Sequence, residues 1–123
     1  EEQKENARKK MREIVKQNLP QTKATISFTD SYPAMVPSEG NKLLLNILNE
    51  VSLSLGHEGV TAYDPGKRGA ADISFVADYV DGLDGLGTMG TGAHTPKETV
   101  NLKTMNALIQ RTAIFIYRLI NMN

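Results

Sequence analysis

Over residues 1–18 the apolar positions recur at helical spacing. Ala7, Met11, Ile14 and Val15 share one face, Leu19 continues it, and charged residues fill the remainder. This spacing predicts an amphipathic helix, ended by Pro20. Between Lys23 and Asp30 the period shortens to two. Ala24, Ile26 and Phe28 alternate with polar neighbours, the pattern of a strand with one buried face. Pro33 and Pro37 hold residues 31–38 extended and predict a linker.

Beyond the linker the helical period returns. Leu43, Leu44, Ile47, Leu48, Val51 and Leu55 form a wide stripe, with Ser38 placed as N-cap and Gly56 as the C-terminal cap. Val60-Thr61-Ala62-Tyr63 reads as a short strand stopped by Asp64-Pro65-Gly66. Ala70 to Val80 reads as a helix with Ile73, Val76 and Tyr79 on one face. Residues 82–92 hold five of the ten glycines and show no apolar period. From about Lys103 to Ile120, Met105, Leu108, Ile109, Thr112, Ile116 and Leu119 fall on one side of a long helix. The run Ile114-Phe115-Ile116 implies burial on more than one side. The alternation of helix and strand after residue 38 predicts an α/β layer structure.

Composition narrows the functional classes. The 123 residues carry 14 basic and 14 acidic side chains, so there is no electrostatic footprint for nucleic acid or an anionic membrane. No run of apolar residues is long enough for a transmembrane helix. The absence of cysteine excludes disulfides and thiolate zinc sites and leaves the redox compartment open. The start, Glu1-Glu2-Gln3-Lys4-Glu5-Asn6, is unlike a signal peptide and lacks an initiator methionine, as expected of a segment cut from a longer parent. A soluble protein is expected, cytoplasmic or periplasmic.

Candidate chemistry gathers in the glycine-rich stretch. His57 follows a helix cap in a polar turn and reads as a surface histidine. His94 lies in Gly92-Ala93-His94-Thr95-Pro96-Lys97-Glu98, at the end of a loop whose glycines are entropically expensive unless backbone must approach something closely. A neutral imidazole there is a candidate metal ligand or acid/base; the alternative is a loop histidine bonded to a neighbouring carbonyl. Gly85, Gly87 and Gly90 also satisfy the dinucleotide pattern G-x-G-x-x-G. That pattern needs a helix opening at the glycines, and Thr91 to Pro96 cannot start one, so a nucleotide site is excluded.

The Gly92 to Glu98 block resembles the G-A-H-T-P-D-E signature of the zinc-dependent aminoacylase and carboxypeptidase family. That family includes glutamate carboxypeptidase, peptidase T and succinyl-diaminopimelate desuccinylase. Arg68-Gly69-Ala70-Ala71-Asp72 is similar to the R-G-G-T-D segment of the peptidase T type. Lys97 departs from the usual aspartate, and Ala70-Ala71 from the usual Gly-Thr. The resemblance implies an α/β fold: the C-terminal part of a zinc-exopeptidase catalytic domain, preceded by the last helix and strand of a ferredoxin-like lid. Residues 1–31 would end the lid, 32–37 would link, and 38–123 would belong to the catalytic domain.

It further implies a fragment of a di-zinc hydrolase that cleaves an amide or peptide bond beside a free carboxylate. The substrate of the parent would be a peptide or N-acyl amino acid, and its two zinc ions would share a bridging water. His94 matches the histidine that ligates one zinc. Arg68 would hold the substrate carboxylate through its planar fork, and Gly87 would offer backbone to substrate. Glu98 would anchor the loop after His94, and Asp72 would orient Arg68 or cap a helix. No residue of this segment supplies the base, so the segment alone is expected to be inactive. A helix and one strand cannot bury their apolar faces unaided, so residues 1–30 are expected to pack against a second copy, as a homodimer, or to fold back over the orphaned face of residues 38–123. The rival reading is a non-catalytic binding or dimerisation module derived from the same fold.

Overall fold

A computed structural model describes residues 1–67 and 69–122. Among these, the helices are α1 (Glu2–Val15), α2 (Glu39–Ser54) and α3 (Leu102–Ile120), with 3-10 turns at Pro65–Lys67 and Asp72–Phe75. Strands β1 (Gly90–Thr91) and β2 (Thr99–Val100) pair antiparallel, with Gly90 opposite Val100 and Thr91 opposite Thr99. Helix and strand are both present, but the β part is one short ladder. No helix of the described residues is long and apolar enough to cross a membrane. The chain divides into two units, Glu1–Ala34 and Met35–Asn123.

In the first unit, the segment after α1 returns along the helix. Arg8 donates to Asp30 at 2.6 Å and to Glu5 at 2.7 Å, and Lys4 reaches Asp30 at 3.0 Å. The Phe28 ring lies under both Arg8 and Arg12, with guanidinium carbons 5.2 and 5.0 Å from its centroid. The strand expected over residues 23–30 is corrected: the segment is extended but joins no ladder, because no described strand lies beside it. The apolar stripe of α1 stays open, with Met11 and Ile14 exposed.

The second unit is built on α2 and α3. Ser38 caps α2, its hydroxyl accepting from the Asn41 amide at 2.9 Å. At the other end Gly56 takes φ +76, and its amide donates to the Leu53 carbonyl while His57 donates to Ser52. These paired bonds satisfy carbonyls the helix would leave open, and glycine alone adopts that φ without strain. Ile47, Leu48, Val51 and Phe115 form the buried core, flanked by Leu44, Leu55, Val60, Leu83, Leu86, Ile114 and Leu119. Val51 is 0% exposed and Leu48 2%.

Three further expectations are corrected here. Residues 60–63 form no strand: the Val60 amide donates to the Asn49 side chain at 2.8 Å, and Ser52 donates to the Glu58 carbonyl at 2.7 Å. Those side chains of α2 satisfy the returning backbone in place of a neighbouring strand. Residues 70–80 do not make a helix. A 3-10 turn occupies Asp72–Phe75 and turns follow, leaving Tyr79 and Val80 exposed. On α3 only Phe115 is buried among the described residues, while Ile109 is 60% and Ile116 50% exposed.

Two predictions follow from these contacts. Leu48→Ala should cost about 2 to 5 kcal/mol in urea unfolding, and Ile109→Ala no more than about 0.5 kcal/mol. Equal losses would contradict the placement of the core. In the first unit, the Arg8 and Lys4 bonds lower the Asp30 carboxyl from 3.8 to about 2. A folded-state value below the unfolded one stabilises fully above pH 3.8, and that contribution is lost as the pH falls through about 2. The Phe28 ring resonances should therefore move toward unstructured values in acid. Asp30→Asn should show the same movement at neutral pH, and an unchanged Phe28 environment in that variant would contradict the argument.

Candidate functional site

The segment holding His94 is the connection between β1 and β2. It is anchored at both ends. Thr91 and Thr99 share a hydroxyl hydrogen bond of 3.0 Å across the ladder, and the Asn101 amide donates to the Met89 carbonyl at 2.8 Å. Asn101 also caps α3, its side chain accepting from the Lys103 amide at 3.1 Å. The hairpin is thus joined directly to the N-terminal end of a long helix.

Within the connection, local bonds fold the chain tightly. The Thr95 amide donates to the Gly92 carbonyl at 3.1 Å and its hydroxyl to the same oxygen at 2.7 Å. The Lys97 amide donates to the Thr95 hydroxyl, and the Glu98 amide to the Thr95 carbonyl at 3.0 Å. Gly92 has φ +70, and a Cβ there would lie 2.8 Å from the Lys97 carbonyl oxygen, so only glycine fits. His94 has φ +63. It is the third residue of the Gly92 to Thr95 turn, where a positive φ is the requirement of a type II turn.

Histidine in that region costs of order 1 to 2 kcal/mol against glycine. Strain of this kind concentrates where a side chain is held for use. His94 is exposed, and its amide donates to Glu98 Oε2 at 3.4 Å. The Glu98 carboxylate thus braces the backbone at His94 and leaves the imidazole clear of it.

The other expected site residues do not gather here. Arg68 lies outside the described residues. Asp72 opens the 3-10 turn at Asp72–Phe75. Gly87 lies in the stretch before β1, exposed, with nothing within 4 Å of where a Cβ would stand. It borders an open apolar groove of about 390 Å³ between the 86–88 segment and α3, walled by Leu86, Met105, Leu108, Ile109 and Ile116. Among the described residues, no group of three or more His, Cys, Asp or Glu side chains is placed to hold a metal ion.

Two features escaped the sequence reading. Asn41 and Asp81 tie the start of α2 to the loop after residue 80: Asn41 Oδ1 accepts from the Gly82 amide at 3.0 Å, and Asp81 accepts from the Ser38 hydroxyl. The other is the apolar groove beside α3, since periodicity marks an apolar face without saying what covers it.

No family model, curated protein or solved structure matches this chain.

The strained turn makes a direct prediction. His94→Gly should be about 1 kcal/mol more stable than His94→Ala in chemical denaturation, because only the former relieves the positive φ. Equal stability of the two variants would remove the strain from the argument.

Proposed function

We propose that this chain is part of a di-zinc hydrolase that cleaves an amide or peptide bond beside a free carboxylate, with His94 donating one imidazole to the metal centre. The observation that carries the reading is the His94 turn. Its sequence, Gly92-Ala93-His94-Thr95-Pro96-Lys97-Glu98, resembles the family signature. The turn holds that one side chain exposed, in a backbone conformation histidine rarely takes, with Glu98 bracing it.

An exposed neutral imidazole suits zinc as a nitrogen donor, but one donor does not make a site, since zinc takes three or four protein ligands. The remaining ligands and the general base would come from polypeptide outside this chain. When bound, zinc supplies Lewis acidity and an activated water. The role of this chain is to fix the imidazole: the turn sets its direction, Glu98 holds the backbone behind it, and the β1–β2 ladder ties both to α3. Arg68 and Gly87 are assigned to the substrate side, toward a peptide or N-acyl amino acid, and Asp72 to support of Arg68. In this reading residues 1–31 are the end of a lid, 32–37 the linker and 38–123 a portion of the catalytic domain.

The rival reading is a binding or dimerisation module without chemistry. It is favoured by the groove along α3 and by the apolar side chains left exposed on α1. Self-association of the chain as a homodimer fits either reading, because both leave apolar faces in need of cover.

The test has two arms. The 123-residue chain with added zinc should hydrolyse neither dipeptides nor N-acyl amino acids. The protein encoded by the whole gene should hydrolyse one of these classes, and His94→Ala should lower both its activity and its bound zinc. Hydrolysis by the 123-residue chain, or full zinc content in the whole-gene variant, would overturn the assignment.

A further inference from the structure

The glycine-rich stretch contains the same dipeptide twice, Asp81-Gly82 and Asp84-Gly85. An Asp-Gly step can rearrange without a catalyst. The glycine amide nitrogen attacks Cγ of the protonated aspartyl side chain, a new N–Cγ bond forms, and the side-chain hydroxyl leaves as water. The resulting five-membered succinimide is then opened by water. Attack at Cγ restores aspartate; attack at the α-carbonyl breaks the original N–C bond and leaves an isoaspartyl linkage of the same mass. Glycine favours the step because no Cβ shields its nitrogen and its backbone turns freely. The reaction needs the side-chain carboxyl and the following amide both free to meet.

The fold treats the two steps differently. At Asp81-Gly82 both reacting groups are engaged elsewhere. The Asp81 carboxylate accepts from the Ser38 hydroxyl, and the Gly82 amide donates to Asn41 Oδ1 at 3.0 Å. Gly82 is also packed, since a Cβ there would stand 2.5 Å from Ile73 Cδ1. At Asp84-Gly85 neither restraint is present. Both residues are exposed, in a stretch without regular structure. Gly85 takes φ +78, and nothing lies within 4 Å of its Cβ position. Among the described residues no hydrogen bond engages the Asp84 carboxylate or the Gly85 amide.

The remaining aspartyl steps are disfavoured on other grounds. Pro65 after Asp64 has no N–H, Ile73 and Tyr79 after Asp72 and Asp78 are bulky, and Asp30 is held by Arg8 and Lys4.

We infer that Asp84-Gly85 is a site of spontaneous isoaspartate formation in the folded protein, and that Asn41 and Ser38 protect the identical step at Asp81-Gly82. The rearrangement adds a carbon to the backbone two residues before Leu86, so it lengthens the segment that walls the groove beside α3.

The experiment ages the folded chain and the urea-denatured chain at neutral pH and body temperature. Isoaspartate is read by methyl transfer from labelled S-adenosylmethionine with an isoaspartate-specific O-methyltransferase, and located by electron-transfer fragmentation of peptides. The denatured chain should convert both steps to similar extents. The folded chain should accumulate several-fold more isoaspartate at Asp84 than at Asp81. Asn41→Ala should raise conversion at Asp81, with retained helical circular dichroism as the control for folding. Asp84→Glu should remove most of the label. Protection of both steps in the folded wild-type chain, or faster conversion at Asp81, would overturn the inference whether or not Asn41→Ala folds.

Discussion

The Met35–Asn123 unit rests on the apolar contact in which Ile47, Leu48 and Val51 of α2 meet Phe115 of α3. The contact is small. Burying such side chains contributes roughly 1.5 to 3 kcal/mol each, so a cluster of this size holds two helices together with little in reserve. The polar bonds around it follow from that economy. Ser38 caps α2, and Asn41, Asn49 and Ser52 of the helix each tie a neighbouring stretch of irregular backbone to it. The irregular backbone at residues 58–60 and 82 is therefore held by side chains of one helix and not by a sheet.

The same constraint places the candidate site. Since α3 is fixed against α2, and Asn101 caps α3 while its amide holds Met89, the β1–β2 hairpin inherits its position from the helix pair. The turn needs no core of its own: Gly92, Thr95 and Glu98 close it through local bonds. Such a device can carry an exposed imidazole at a fixed place without burying anything. It also fits a stretch whose residues show no apolar period.

The sequence made the helices legible because they are the elements that local pattern decides. Ser38 and Gly56 cap α2 as their positions predict, and α3 spans Leu102–Ile120 against the expected Lys103 to Ile120. The strands at 23–30 and 60–63 were misread because alternation is a statement about two faces, whereas a strand needs a partner. Asn49 takes the Val60 amide that a partner would have taken. The helix over residues 70–80 was a misreading of another kind: Ile73, Val76 and Tyr79 have the right spacing, yet the segment settles into a 3-10 turn with little buried surface to reward a full helix. At the site, the motif drew attention to His94 and Glu98. Their relation, with Glu98 accepting from the His94 amide and not from the imidazole, is a property of the turn that no spacing rule contains.

The central claim is that the turn presents His94 to a zinc ion completed by polypeptide outside this chain. The most direct measurement is the crystal structure of the protein encoded by the whole gene, grown with zinc and phased at the zinc absorption edge. The account predicts an anomalous peak about 2.0 to 2.1 Å from an imidazole nitrogen of His94, with the other ligands drawn from beyond these residues. An anomalous peak whose ligand shell omits His94, or a His94 imidazole turned away into solvent while zinc is bound elsewhere, would contradict it.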